Sequence, residues 1–274
     1  MAYSKLISSS NPGLIMIMLD QSISMTDRYA GKTKAEVAAM AVNRVINELV
    51  EACQAGEEIK NRCYVAVLGY GSEVAPIVGG MISQVGDNPA NIMEVMRKVP
   101  DGAGGLVEIR DQMPIWVTPE ATGSTPMAEA MESVYGLIEG WIGDNPDSFP
   151  PIVINITDGV PSDMQIGRRD EAETKAAAQK LMSLNTTDGH LLLFNAHISN
   201  ASAGEVKLPN NEQGLYDNYA KFLFHISSVL PDRLLGEAQK AGFSPPHNAR
   251  GFVFNAGVET MIKLLTFGST GALR

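Results

Sequence analysis

The stretch Leu14 to Leu19 is apolar at every position and stops abruptly at Asp20. Six such residues are far fewer than the ~18 to 20 that cross a bilayer. The run also lacks the alternation of a half-exposed strand, so it is expected to be a central strand buried on both faces. Ile152 to Ile156 has nearly the same character, introduced by Pro150-Pro151 and ended by Thr157-Asp158-Gly159. Strands sealed on both sides need a layer of helices above and below. The segments between the apolar runs carry helical spacing, which predicts an α/β fold: a doubly wound, Rossmann-like, mostly parallel sheet with helices on both faces.

The elements follow in order. Thr33 and Glu36 form a capping box ahead of Ala38, Val42, Val45, Leu49 and Ala52, the face of a first long helix. Arg62 to Leu68 reads as a strand, and the turn Gly69 to Ser72 returns it as Val74 to Val78, the one antiparallel edge strand expected. A helix is expected at Ala90 to Val99. Pro126 suits the first turn of a helix whose buried face is Met127, Met131, Val134, Ile138 and Ile142. A helix over 170–184, a strand over 191–196, a helix after Pro231, a strand over 251–254 and a helix over 258–267 complete the alternation. No Pro/Gly/Ser-rich linker divides it, so residues 1–274 are expected as one domain with loop elaborations near 79–120 and 199–230.

Composition limits the partners. Hydrophobic residues make up 45% of the 274 and charged residues 19%, which is too apolar for a disordered chain. A formal charge of −10 opposes phosphate backbones and anionic lipid, so neither nucleic acid nor a membrane surface is expected as a partner. Cys53 and Cys63 lack the spacing of a zinc site or a disulfide framework and read as reduced, partly buried thiols. The amino terminus lacks the basic start and long apolar stretch of a signal peptide, so a cytoplasmic location is expected.

In open α/β sheets, ligands sit outside the carboxyl ends of the strands, at the switch in strand order. Oxygen groups gather at three such places. Asp20-Gln21-Ser22-Ile23-Ser24 places a carboxylate and two hydroxyls on alternate residues. Gly123-Ser124-Thr125-Pro126 adds the Thr125 hydroxyl at a helix entrance, and Thr157-Asp158-Gly159 adds a second carboxylate. Hard oxygen ligands without Cys or His suit Mg²⁺, with Mn²⁺ or Ca²⁺ as alternatives.

These residues resemble the von Willebrand factor A (vWA) domain, whose metal-ion-dependent adhesion site combines an Asp-x-Ser-x-Ser turn, a Thr loop and a later Asp. Residues 14–24, 123–127 (GSTPM) and 156–163 (ITDGVPSD) match those three parts in family order. The forms TDG-x-P and GSTP resemble the stand-alone bacterial vWA proteins, including those linked to tellurite resistance and to kinase and phosphatase signalling. The resemblance implies that Ser22, Ser24 and Thr125 coordinate the ion directly while Asp20 and Asp158 orient its waters or enter the coordination shell. It implies a non-enzymatic module that binds an Asp or Glu of a protein partner through the metal, in a signalling or stress-response assembly. Ile23 stands where the family usually has Gly; if the turn needs positive φ, a β-branched residue there would strain it and misplace Ser24.

Each piece alone has a simpler reading. Thr125 could cap the following helix, Asp158-Gly159 could be a plain turn, and residues 20–24 a polar loop. Their conjunction favours the metal site. Gln21, Met25, Tyr29 and the loops near 79–120 and 161–167 are expected as its rim. His197, just after a strand, is the histidine placed to reach the crevice, and Asn155 is expected as a satisfied buried polar group, with a metal-loop backbone as one candidate partner. The alternative is a metal-dependent phosphoryl-transfer or hydrolytic enzyme, although the second Asp two positions after Asp20, the phosphate loop and the Gly-x-Ser-x-Gly elbow are all missing. A dinucleotide site is disfavoured because Asp20 replaces the glycine-rich turn.

Overall fold

Strand β1, Gly13–Asp20, is buried at every residue. A computed structural model describes residues 3–100, 105–159, 161–162, 171–199 and 204–270. Parallel neighbours flank β1 on both sides: β2, Cys63–Tyr70, and, further along the chain, the strand Ile152–Thr157. Ile17 lies level with Val67 on one side and with Ile154 on the other. The alternate side chains of β1 serve two cores. Ile15, Ile17 and Leu19 pack with helix α1, Lys34–Cys53, while Leu14, Met16 and Met18 face the opposite layer. This is why the run shows no period: both faces are inside.

After β2 the chain reverses into β3, Val74–Met81, which lies antiparallel at the sheet edge. A short helix α2, Ile82–Asp87, follows. Residues 91–115, read in sequence as a helix followed by loop, instead form a ribbon of β4, Asn91–Pro100, and β5, Leu106–Ile115, paired antiparallel through ten residues each. The spacing of Ile92, Val95, Met96 and Val99 suits a helix on its own. In the ladder Ile92 lies opposite Pro114, Met93 opposite Met113 and Val95 opposite Asp111, and this continuous pairing overrides the local period.

Helix α3, Met127–Asp144, leads to β6, Ile152–Thr157; α4, Glu171–Ser183, leads to β7, Leu192–His197. A two-residue strand β8, Val206–Lys207, helices α5, Asn218–His225, and α6, Asp232–Lys240, strand β9, Phe252–Phe254, and helix α7, Val258–Thr270, complete the described chain. The main sheet runs β8-β9-β7-β6-β1-β2-β3. Both of its edges are antiparallel, not the single edge expected, because β8 folds back along β9. The loop expected near 199–230 contains β8 and α5 among its described residues.

Helices α1, α6 and α7 cover one face of the sheet and α3, α4 and α5 the other. The capping box at Thr33 forms as expected: its side chain accepts from the Glu36 N–H while Glu36 returns the bond to the Thr33 N–H. Cys53 and Cys63 are free thiols, both fully buried. Among the described residues no helix is long and apolar enough to cross a membrane.

Candidate metal centre

The chain leaves β1 in one direction across the sheet to β2 and later returns on the other side as β6, so a crevice opens between the carboxyl ends of β1 and β6. Asp20 ends β1 there, only 1% exposed. One of its carboxylate oxygens, Oδ1, accepts from the Ser22 N–H at 2.8 Å, the local turn expected of an Asp followed by a reversal. The other, Oδ2, accepts from the Thr157 hydroxyl at 2.6 Å across the β1–β6 seam. Both oxygens therefore have a donor, and Asp20 is fixed in place by its own turn and by the neighbouring strand.

The same turn brings the Ser22 and Ser24 hydroxyls to 3.0 Å from each other. Ser22 is extended, with φ −68° and ψ 161°, and precedes a 3₁₀ turn over Ile23–Thr26. Ile23 does not have a positive φ. The strain expected of a β-branched residue at this position is therefore absent, because a 3₁₀ turn uses right-handed backbone that Ile tolerates. Its side chain points outward, 62% exposed.

Backbone bonds stitch the Thr loop to both aspartate loops. Ile23 N–H donates to the Gly123 carbonyl and Thr122 N–H to the Gln21 carbonyl; Thr125 N–H donates to the Ser162 hydroxyl, and Ser162 N–H to the Thr125 carbonyl. Gly123 has φ +75°, and a Cβ there would come within 2.5 Å of the Ser72 backbone, so this close approach requires glycine. Thr125 is 5% exposed and lies one residue outside the α3 N-cap, which is Pro126. Thr125 is thus not the cap residue that the simpler reading made it.

Asp158, 9% exposed, follows β6. Its Oδ2 meets the ammonium of Lys34 at 3.0 Å, while Oδ1 is buried with no hydrogen-bond partner among the described residues. The loop is held from beneath by His197, whose Nε2 lies 2.8 Å from the Asp158 carbonyl. A carbonyl only accepts, so Nε2 carries the proton. Burial holds the His197 pKa below its usual value, and the ring stacks on Phe254 with centroids 5.3 Å apart. His197 reaches the crevice, as a brace.

Burial, and then the charge of Asp158, push the Asp20 carboxyl up to about 7, against the pull of its hydrogen bonds. Burial also works against the Lys34 ammonium, but Asp158 and Asp27 outweigh it and raise the Lys34 pKa. Lys34 escaped the sequence reading. The available signal was a cation at the first position of a helix, where the macrodipole disfavours it unless something anionic compensates.

These donors fit a hard divalent cation. Two oxygens bound side by side in an octahedron at ~2.1 Å from the ion lie about 3 Å apart, the separation of the two serine hydroxyls. Asp158 Oδ1 is a buried acceptor without a donor, which is costly unless a cation or water answers it. Among the described residues no three His, Cys, Asp or Glu side chains group as a metal site of that kind. The cradle has two carboxylates and relies on hydroxyls. Of the expected rim, Gln21 is half-buried and reaches Glu120, and Tyr29 is half-buried and donates to the Asn255 carbonyl. Met25 is fully buried beneath the turn, because the 3₁₀ geometry rotates it into the core. Residues 163–167 of the expected rim lie outside the described residues.

No family model matches the sequence, and no curated protein matches it. Among solved structures, the fold is similar to the pilus adhesin SpaC from Lactobacillus rhamnosus GG, with 13% identity over 95% of this chain and 30% of that one, at a TM-score of 0.53. Proximal thread matrix protein 1 from the mussel byssus is 13% identical over 96% of this chain and 48% of that one, at 0.50. The fold is vWA-like. The ArnB paralog VWA2 from Sulfolobus acidocaldarius is 12% identical over 80% of this chain and 40% of that one, at 0.41. This chain spans less than half the length of each of the three. At such identities the likeness is one of fold, a vWA-like mixed sheet with helices on both faces.

Proposed function

We propose that this chain is a protein-interaction module that takes an Asp or Glu side chain of a partner at a divalent cation, Mg²⁺ first and Mn²⁺ or Ca²⁺ as alternatives, held by Asp20, Ser22, Ser24, Thr125 and Asp158. The observation that carries the reading is the pair of serine hydroxyls 3.0 Å apart, in a crevice where Asp158 keeps a buried, unpartnered oxygen. When bound, the cation supplies an electrophilic position that a partner's carboxylate completes.

The chain's own residues do the arranging. Asp20 fixes the turn through the Ser22 N–H and is itself fixed by Thr157. Ser22, Ser24 and Thr125 offer neutral oxygens, so the cation keeps most of its charge for the guest. His197 pins the Asp158 loop, and the bonds between Thr125 and Ser162 keep the Thr loop against it. A non-enzymatic role is supported by how the titratable groups are used: His197 is buried and tied to a carbonyl, and Lys34 is tied to two carboxylates. Both are engaged in contacts that hold the Asp158 loop in place. A fold shared with a pilus adhesin supports an interaction role.

The test is affinity capture of partner proteins by the immobilised chain with Mg²⁺ or with chelator, using wild type and Asp20→Ala. A partner retained in Mg²⁺ and lost both in chelator and with Asp20→Ala supports the reading; a partner retained equally in all three contradicts it.

A further inference from the structure

Lys34 is the first residue of α1, 6% exposed, and its ammonium bridges Asp158 Oδ2 at 3.0 Å and Asp27 Oδ2 at 3.1 Å. Asp27 is largely in solvent, with its side chain 57% exposed, so water screens most of its charge. The buried charges are then the Asp20 and Asp158 carboxylates and the single Lys34 ammonium. A long side chain is not sealed at a helix entrance, against the macrodipole, without a strong local field to hold it.

We infer that Lys34 acts as a resident cation that makes the divalent ion and its acidic guest bind as a coupled pair. This rests on the metal-site reading above. With both carboxylates ionised, as they are when they hold a cation, they and the Lys34 ammonium together carry one net negative charge. A divalent cation takes the cluster to one net positive charge, and a guest carboxylate returns it to neutrality. Without Lys34, the same cation already brings the cluster to neutrality, and the guest would make it negative. In a buried site the imbalance is weakly screened, so it is felt as affinity. Lys34 therefore weakens the cation bound alone and strengthens the cation bound with a carboxylate, which is thermodynamic coupling between two ligands. The module is kept from trapping the cation firmly when no partner is there to complete the site.

The experiment titrates Mn²⁺ into chelator-stripped wild type, Lys34→Met and Lys34→Gln, by calorimetry, in chloride and in acetate at equal ionic strength, with acetate as the carboxylate probe. In chloride, both variants bind Mn²⁺ roughly tenfold more tightly than wild type, within the usual range of coupling factors. Replacing chloride by acetate tightens Mn²⁺ binding in wild type and has less effect in the variants. Lys34→Gln retains a hydrogen-bond donor without the charge, and the rise in melting temperature caused by Mn²⁺ is read alongside. That rise is larger in the variants than in wild type, which remains measurable where a variant is less stable without the ion. Mn²⁺ binding in chloride that is no tighter in either variant than in wild type overturns the role of Lys34 and leaves the metal site standing. No saturable Mn²⁺ binding by wild type overturns the metal site and this inference together.

Discussion

The Thr157 hydroxyl donates to Oδ2 of Asp20 at 2.6 Å, joining the carboxyl ends of two neighbouring parallel strands through side chains. The Gly159 N–H donates in turn to the Thr157 oxygen at 2.9 Å. One threonine thus orients the first aspartate and shapes the loop that carries the second.

Asp20 gives ion-free stability a definite dependence on pH. Its carboxyl titrates near 7 in the folded chain and near ~3.9 in an unfolded one. Between these values the folded chain holds a proton that the unfolded chain has released, so the stability this group contributes is complete below about pH 4 and is lost as pH rises through 7. Urea denaturation in chelator is expected to show a lower midpoint at pH 8 than at pH 5, with the difference reduced in Asp20→Asn. An equal difference in that variant would mean Asp20 is not its source.

Ile23→Gly tests the turn. Because Ile23 occupies a 3₁₀ turn without positive φ, restoring glycine relieves no strain. The expected result is Mn²⁺ affinity within about twofold of wild type and a stability loss of roughly 0.5 to 1 kcal/mol from added backbone freedom. A gain in affinity of tenfold would show that the turn is strained after all.

Asn155 lies in the middle of β6, fully buried, where it accepts from the Tyr70 hydroxyl at 2.7 Å and donates to the Asn195 side chain at 2.9 Å. It is the satisfied polar group expected from the sequence, although its partners are side chains of β7, of β2 beyond β1 and of helix α3, where Met127 Sδ lies 3.7 Å away, and not a metal-loop backbone. Asn155→Ala removes both bonds from a fully buried position and is expected to cost about 2 to 3 kcal/mol in chemical denaturation. Mn²⁺ affinity is expected to be unchanged, which separates damage to the core from damage to the site.

The legible parts of this chain were those where one physical demand acts alone. A strand buried on both faces is apolar almost throughout, and Leu14 to Leu19 and Ile152 to Ile156, interrupted only by Asn155, mark β1 and β6, at whose carboxyl ends the aspartates lie. The capping box at Thr33 and Glu36 is local and was equally plain. The hybrid cases failed. Residues 91–99 satisfy a helical spacing, and only their pairing with 106–115 decides for strand. Met25 looks like a rim residue in the sequence because nothing there reveals the direction of a 3₁₀ turn. The role of Lys34 is invisible in the sequence because it comes from Asp158, 124 residues away.

The most direct test of the account is a Mn²⁺ titration of the chelator-stripped chain, followed by calorimetry or by the relaxation of solvent water, on wild type, Asp20→Ala and Thr125→Ala. The account predicts one saturable site per chain in wild type, lost in Asp20→Ala and weakened by at least about tenfold in Thr125→Ala, a loss of roughly 1.4 kcal/mol or more. Binding of equal strength in all three, or no saturable binding in wild type, contradicts it.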